Sequence, residues 1–160
     1  MWQAMVAGKS GVAPITQFDA TLFRTRFAGE VKDFDPSAIL DKKEARRLDR
    51  YAQFTLVAAD EALRDAGLLD ENGQCTEANA GVIWGSGMGG LQTFENESFD
   101  FAHGDGTPRF NPFFIPKVIL SIGAGHTSLP SAAQGISLPA PPACAPSTPA
   151  PTPPPAPPPL

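Results

Sequence analysis

Apolar positions recur at helical spacing most clearly between Asp49 and Ala66. There Tyr51, Ala52, Thr55, Leu56, Ala59, Ala62, Leu63 and Ala66 share one face before Gly67 closes the segment. Upstream, Trp2 to Ala7 reads as the last turns of a helix ended by Gly8, so the chain is expected to begin inside an element. Residues 23–34 read as extended, and Asp35-Pro36 as an N-cap followed by proline at the first helical position. Asp41 with Glu44 three residues on has the form of a capping box. Gly81-Val82-Ile83-Trp84-Gly85 is a short apolar run suited to a buried strand. A glycine-rich turn follows it, then a helix to about Phe101, a loop over 103–108, and a further helix from Asn111-Pro112 to about Gly125. The pattern is mixed α and β.

Proline decides where this pattern stops. Only Pro14, Pro36, Pro108, Pro112 and Pro116 of the 18 prolines precede residue 130. A ring without an amide hydrogen fits neither helix interiors nor central strands, so residues 139–160 are expected to be polyproline-like and disordered, and the ordered part to end near residue 129. The expected division is 1–129 and 130–160.

Composition narrows the function. At 160 residues and 42% hydrophobic content the chain suits one domain, and a net charge of −5 argues against a general nucleic-acid binder. No apolar run reaches the roughly 18–20 residues of a membrane span. Cys75 and Cys144 lie far apart and form no metal-type pair, so a reduced, cytoplasmic protein without metal or cofactor is expected.

Several motifs could carry chemistry. Gly85-x-Gly87-x-Gly89-Gly90 follows a strand as a phosphate loop does, but it has neither the Walker lysine nor dinucleotide spacing; a close-packed turn is the competing reading. Met88 within it is either core or the lining of an apolar ligand pocket. The stretch from Lys42 to Arg50 holds five basic and two acidic residues, a local +3 in an acidic chain. Lys42 with Arg46, and Lys43 with Arg47, share one helical face, either as solvated surface or as a docking patch for an acidic partner. His103 and His126 have no ligand set at metal spacing, and His126 reads as structural. Cys144, between Ala143 and Ala145, has the small neighbours a thiol nucleophile on a tight turn needs.

Five segments together resemble the β-ketoacyl-acyl-carrier-protein synthases, the type II condensing enzymes. They are Ala7 to Asp19, Gly29 to Pro36, Asp41 to Arg47, Gly85 to Leu91 and Pro112 to Pro116, in that order. The resemblance implies a partial thiolase-like α/β/α/β/α sandwich, truncated at both ends and followed by a disordered proline-rich tail. It implies a homodimeric acyltransferase of fatty-acid biosynthesis that condenses an acyl thioester with malonyl-acyl carrier protein, with loss of CO2. Cys144 falls where the family has its acyl-accepting nucleophile, with Gly135 at a turn and Ser147 and Thr148 after it. Pro142 and Pro146 stand where serine or alanine is expected, so 130–160 reads as a degraded nucleophile region and the chain alone as inactive. By the same resemblance Met88, Phe113, Phe114 and Ile115 lie at the acyl pocket, the last three near the dimer seam as well. Lys42, Lys43, Arg46 and Arg47 would meet the acidic carrier protein. Neither His103 nor His126 matches the family's catalytic histidines. A polyketide-type ketosynthase, or a non-catalytic interaction protein whose tail binds proline-recognition modules, is the alternative.

Overall fold

The computed structural model describes residues 2–77, 80–119 and 137–140. It divides into two compact units, Met1–Asp35 and Pro36–Leu160. No helix among the described residues is long and apolar enough to cross a membrane.

The first unit opens with helix α1 (Trp2–Val6), stopped by Gly8 at φ +63°, where the Lys9 amide turns back to the Ala4 carbonyl at 2.9 Å. Strands β1 (Val12–Pro14) and β2 (Phe27–Gly29) pair antiparallel, with Ala13 opposite Ala28. The extended stretch expected over 23–34 is thus a strand only at Phe27–Gly29. Glu30, just past β2, ties down the start of the connection after β1: its carboxylate accepts hydrogen bonds from the Thr16 amide at 2.9 Å, the Thr16 hydroxyl at 2.8 Å and the Gln17 amide at 3.3 Å.

The second unit begins at Pro36. Asp35-Pro36 starts no helix; residues 36–40 make one turn, in which the Pro36 carbonyl accepts from the Ile39 and Leu40 amides. Asp41 then adopts extended backbone (φ −70°, ψ 163°) and caps the next helix, which interrupts any continuation. That helix, α2 (Lys42–Arg47), carries the expected capping box. Asp41 Oδ1 accepts from the Lys43 and Glu44 amides at 2.7 Å each, and Glu44 Oε2 accepts from the Asp41 amide at 3.4 Å.

Helix α3 (Arg50–Asp65) matches its sequence pattern, with Asp49 as N-cap and Gly67 at φ +67° beyond its end. Leu40, Leu48, Ala52 and Leu56 form the core cluster between these segments, with Ala45 and Tyr51 packed on it. Each leucine buried in this way contributes about 1.5–3 kcal/mol. Gln53 of α3 donates to the Ala45 and Leu48 carbonyls at 2.9 and 3.3 Å. It thereby satisfies backbone acceptors that the end of a short helix leaves open.

Strand β3 (Val82–Gly85) feeds the glycine turn and helix α4 (Leu91–His103), so His103 is the last helical residue rather than the start of a loop. Helix α5 spans Phe114–Val118 and Ile119 is already extended; the rest of the stretch expected to be helical, to Gly125, lies outside the described residues. The carbonyls left open at this end find tertiary donors. The Gly90 amide donates to the Val118 carbonyl, and the Tyr51 hydroxyl to the Ile119 carbonyl.

Strand β4 (Ser137–Ala140) runs parallel to β3, with Trp84 opposite Pro139. Pairing therefore continues past the residue at which proline was expected to end regular structure. A proline is admissible on a strand bordered on one side, at a position whose missing amide the neighbour does not need. Among the described residues β3 is the only neighbour of β4.

Candidate functional site

The four basic residues of α2 do converge. Lys42, Lys43, Arg46 and Arg47 line one wall of a groove of about 620 Å³ whose other wall is Asn111, Pro112 and Phe113. The capping box sets the start of α2, and a six-residue helix begun there places positions 42, 43, 46 and 47 on adjoining lines. All four side chains are exposed. Neither salt bridge among the described residues, Arg64–Asp60 and Arg109–Asp105, involves them. The facing wall is fixed from α4. Glu97 Oε2 accepts from the Asn111 amide at 3.0 Å, and Asn111 Oδ1 accepts from the Phe113 amide at 2.8 Å. The Arg47 guanidinium carbon lies 5.2 Å from the centroid of the Phe113 ring.

Met88, Phe113, Phe114 and Ile115, the residues expected at an acyl pocket, have the following surroundings. Phe113 belongs to the cationic groove. Phe114 packs between Phe94 and Phe110, at centroid distances of 6.2 and 5.5 Å. Ile115 is exposed, as is Met88 on the turn after β3. Cys144, Gly135, Ser147, Thr148 and His126 lie outside the described residues.

The glycine run is a packing device. A Cβ on Gly90 would sit 2.1 Å from the Lys117 carbonyl oxygen and 2.9 Å from its carbon. Gly89 has φ +66°, and its amide donates to Ser86 Oγ at 3.3 Å. The first turn of α4 is also occupied by the protein's own carboxylate. Asp49 caps α3 through Oδ1, at 3.1 Å from the Tyr51 amide, while its Oδ2 accepts from both the amide and the hydroxyl of Thr93. A buried carboxylate already at that helix start answers the phosphate reading in favour of the close-packed turn. The sequence missed Asp49 as a junction, because its second partner lies 44 residues away.

Two other features take no part in the groove. An apolar hollow of about 280 Å³ separates α3 from β3, lined by Thr55, Ala59, Ala62, Leu63, Val82 and Trp84 among others. The Trp84 indole nitrogen is buried with no hydrogen-bond partner among the described residues. His103 stacks flat on Phe99 at 5.2 Å, with Nδ1 3.0 Å from the Phe99 carbonyl oxygen. Among the described residues no cluster of His, Cys, Asp and Glu could hold a metal ion.

Residues 1–150 match the family model described as Beta-ketoacyl synthase, N-terminal domain. The chain is 43% identical over 129 residues to 3-oxoacyl-[acyl-carrier-protein] synthase 2 of Coxiella burnetii, covering 81% of this chain and 30% of that protein. It is 40% identical over 137 residues to the protein of the same name from Synechocystis, covering 84% and 32%. The chain thus spans about a third of the length of these relatives. Among solved structures, the ishigamide ketosynthase/chain length factor superposes with a TM-score of 0.72 at 24% identity, over 86% of this chain and 34% of that one. This likeness places the described elements within the ketosynthase fold.

Proposed function

Since the chain belongs to the β-ketoacyl synthase family, we propose that it is part of a 3-oxoacyl-[acyl-carrier-protein] synthase, an acyltransferase of fatty-acid biosynthesis. The observation that carries this reading is the 40–43% identity to proteins of that name over more than four-fifths of the chain. The cationic groove supports it, because an acidic carrier protein needs a positive landing surface and α2 supplies one in an otherwise acidic chain.

In this reading residues 1–129 supply docking and pocket surfaces, and 130–160 carry the nucleophile region. By itself the 160-residue chain, with Pro142 and Pro146 beside Cys144, is inactive. In the complete enzyme of which this chain is a part, the thiolate at the Cys144 position attacks the carbonyl of an acyl thioester, the carrier thiol leaves and takes up a proton, and the acyl group stays on sulfur. A malonyl thioester then loses CO2, and the resulting carbanion attacks the Cys144-bound carbonyl. The carbon–sulfur bond to Cys144 breaks, and a 3-oxoacyl chain two carbons longer remains on the carrier. Met88, Phe114 and Ile115 contribute apolar surface toward the acyl chain, and Phe113, Phe114 and Ile115 lie near the seam of a homodimer.

Two measurements test the assignment. Reversing Arg46 and Arg47 together to glutamate is expected to weaken binding of an acyl carrier protein at least about tenfold in a titration at low salt. Unchanged affinity removes the docking surface from the proposal. Incubation of the 160-residue chain with an acyl-loaded and a malonyl-loaded carrier is expected to yield no 3-oxoacyl product, because Pro142 and Pro146 flank Cys144; measurable malonyl-dependent condensation refutes the reading of 130–160 as a degraded nucleophile region.

A further inference from the structure

Arg47 ends α2 and Phe113 precedes α5, yet the fold brings the guanidinium of one over the ring of the other across the groove. The only other cation–π contact among the described residues, Arg50 with Phe54, lies within α3. Lys42, Lys43 and Arg46 have no ring beneath them among the described residues. An exposed arginine ordinarily samples many rotamers, and that freedom is lost when a partner binds. A ring against the guanidinium restricts those rotamers beforehand. A guanidinium held over a ring can keep N–H donors for a carboxylate, which its planar fork accepts in bidentate fashion, and no hydrogen bond or salt bridge among the described residues engages those donors of Arg47. The ring is itself held through the Phe113 amide on Asn111 Oδ1 and the Asn111 amide on Glu97 of α4.

We infer that Phe113 is a positioning residue for Arg47, pre-organising its guanidinium for bidentate contact with a carboxylate of the docking carrier protein. The inference rests on the carrier-docking reading above and moves Phe113 from the acyl pocket to the docking surface. It makes Arg47 different in kind from the three cations beside it. They offer charge, whereas Arg47 offers charge with a fixed direction.

A double-mutant cycle on the 160-residue chain, titrated with an acyl carrier protein at low salt, tests this. Phe113→Leu is expected to weaken binding about two- to fivefold without changing the salt slope, because no charge is lost. Arg47→Gln is expected to weaken binding further and flatten the salt slope. In the Arg47→Gln background, Phe113→Leu should then have no additional effect, and Phe113→Tyr alone should bind as the parent does. An equal loss from Phe113→Leu in both backgrounds means that the ring touches the carrier directly. That result overturns the inference and leaves docking intact. Carrier binding that ignores Lys42, Lys43, Arg46 and Arg47 alike overturns both. A carrier-independent reading comes from the Arg47 Hε resonance of the free chain. A ring-current displacement that vanishes in Phe113→Leu supports the contact, and an Hε resonance that does not move in that variant overturns it.

Discussion

Gly90 shows how one residue can be dictated by its neighbour's backbone rather than its own. Its φ of −78° suits any amino acid, so conformational freedom is not what the position requires. It requires absence of volume, because a methyl group would meet the Lys117 carbonyl at 2.1 Å and the Val118 Cα at 3.1 Å, atoms that cannot rotate aside. Gly90→Ala is therefore expected to destabilise the chain by about 1–3 kcal/mol, read as a lower denaturation midpoint with unchanged denaturant slope. A midpoint equal to the parent's contradicts the close packing of α4 on α5. Asp49 makes the complementary point. It caps α3 through one oxygen, and its second oxygen serves Thr93 on α4, which makes the cap a tie between helices.

At the scale of elements, short pieces owe their form to side-chain pins as much as to propensity. Helix α2 has six residues, too few to persist alone, and stands because Asp41 and Glu44 cap it and Gln53 engages its final turn. Strands β1 and β2 have three residues each, and Glu30 carries the connection beyond them. The Thr16 amide, then the Thr16 hydroxyl, hold the Glu30 carboxyl below its ordinary value of 4.5. A carboxyl depressed on folding contributes stability that is complete above its unfolded value and lost as pH falls through the folded one. The hairpin is thus expected to keep its protection down to pH 4.5 and to loosen only below it, measured by hydrogen exchange at Thr16 and Gln17. Protection already lost between pH 7 and 5 contradicts the Glu30 pin, and Glu30→Gln should abolish the acid dependence.

Across the whole chain, the arrangement of charge matters more than its total. The net charge of −5 would repel an acidic partner, while the local excess on α2 attracts one and orients it. Such steering acts on the encounter rate and is screened over about 10 Å at 0.1 M salt. The association rate with an acyl carrier protein is expected to fall at least about tenfold from low salt to 0.5 M, with a much smaller change in dissociation. A salt-independent association rate in stopped-flow measurements argues against electrostatic docking.

Features whose cause lies within one helical turn were readable from the sequence by itself. These include the period of α3, the capping box of α2, the line of cations it projects, the glycine stops after α1 and α3, and the strand before the glycine turn. Family membership was readable too, because it rests on ordered local motifs. Tertiary structure alone decided the rest. Residues 36–40 stop after one turn because Asp41 takes the next cap, and the carbonyls of Val118 and Ile119 at the end of α5 are taken by Gly90 and Tyr51 from elsewhere in the chain. Phe113 meets Arg47 because Glu97 and Asn111 swing the segment before α5 toward α2. The physical reason is range. Caps and periodicity act over three or four residues, whereas the partner of Arg47 is chosen by how apolar faces far apart in the chain bury one another.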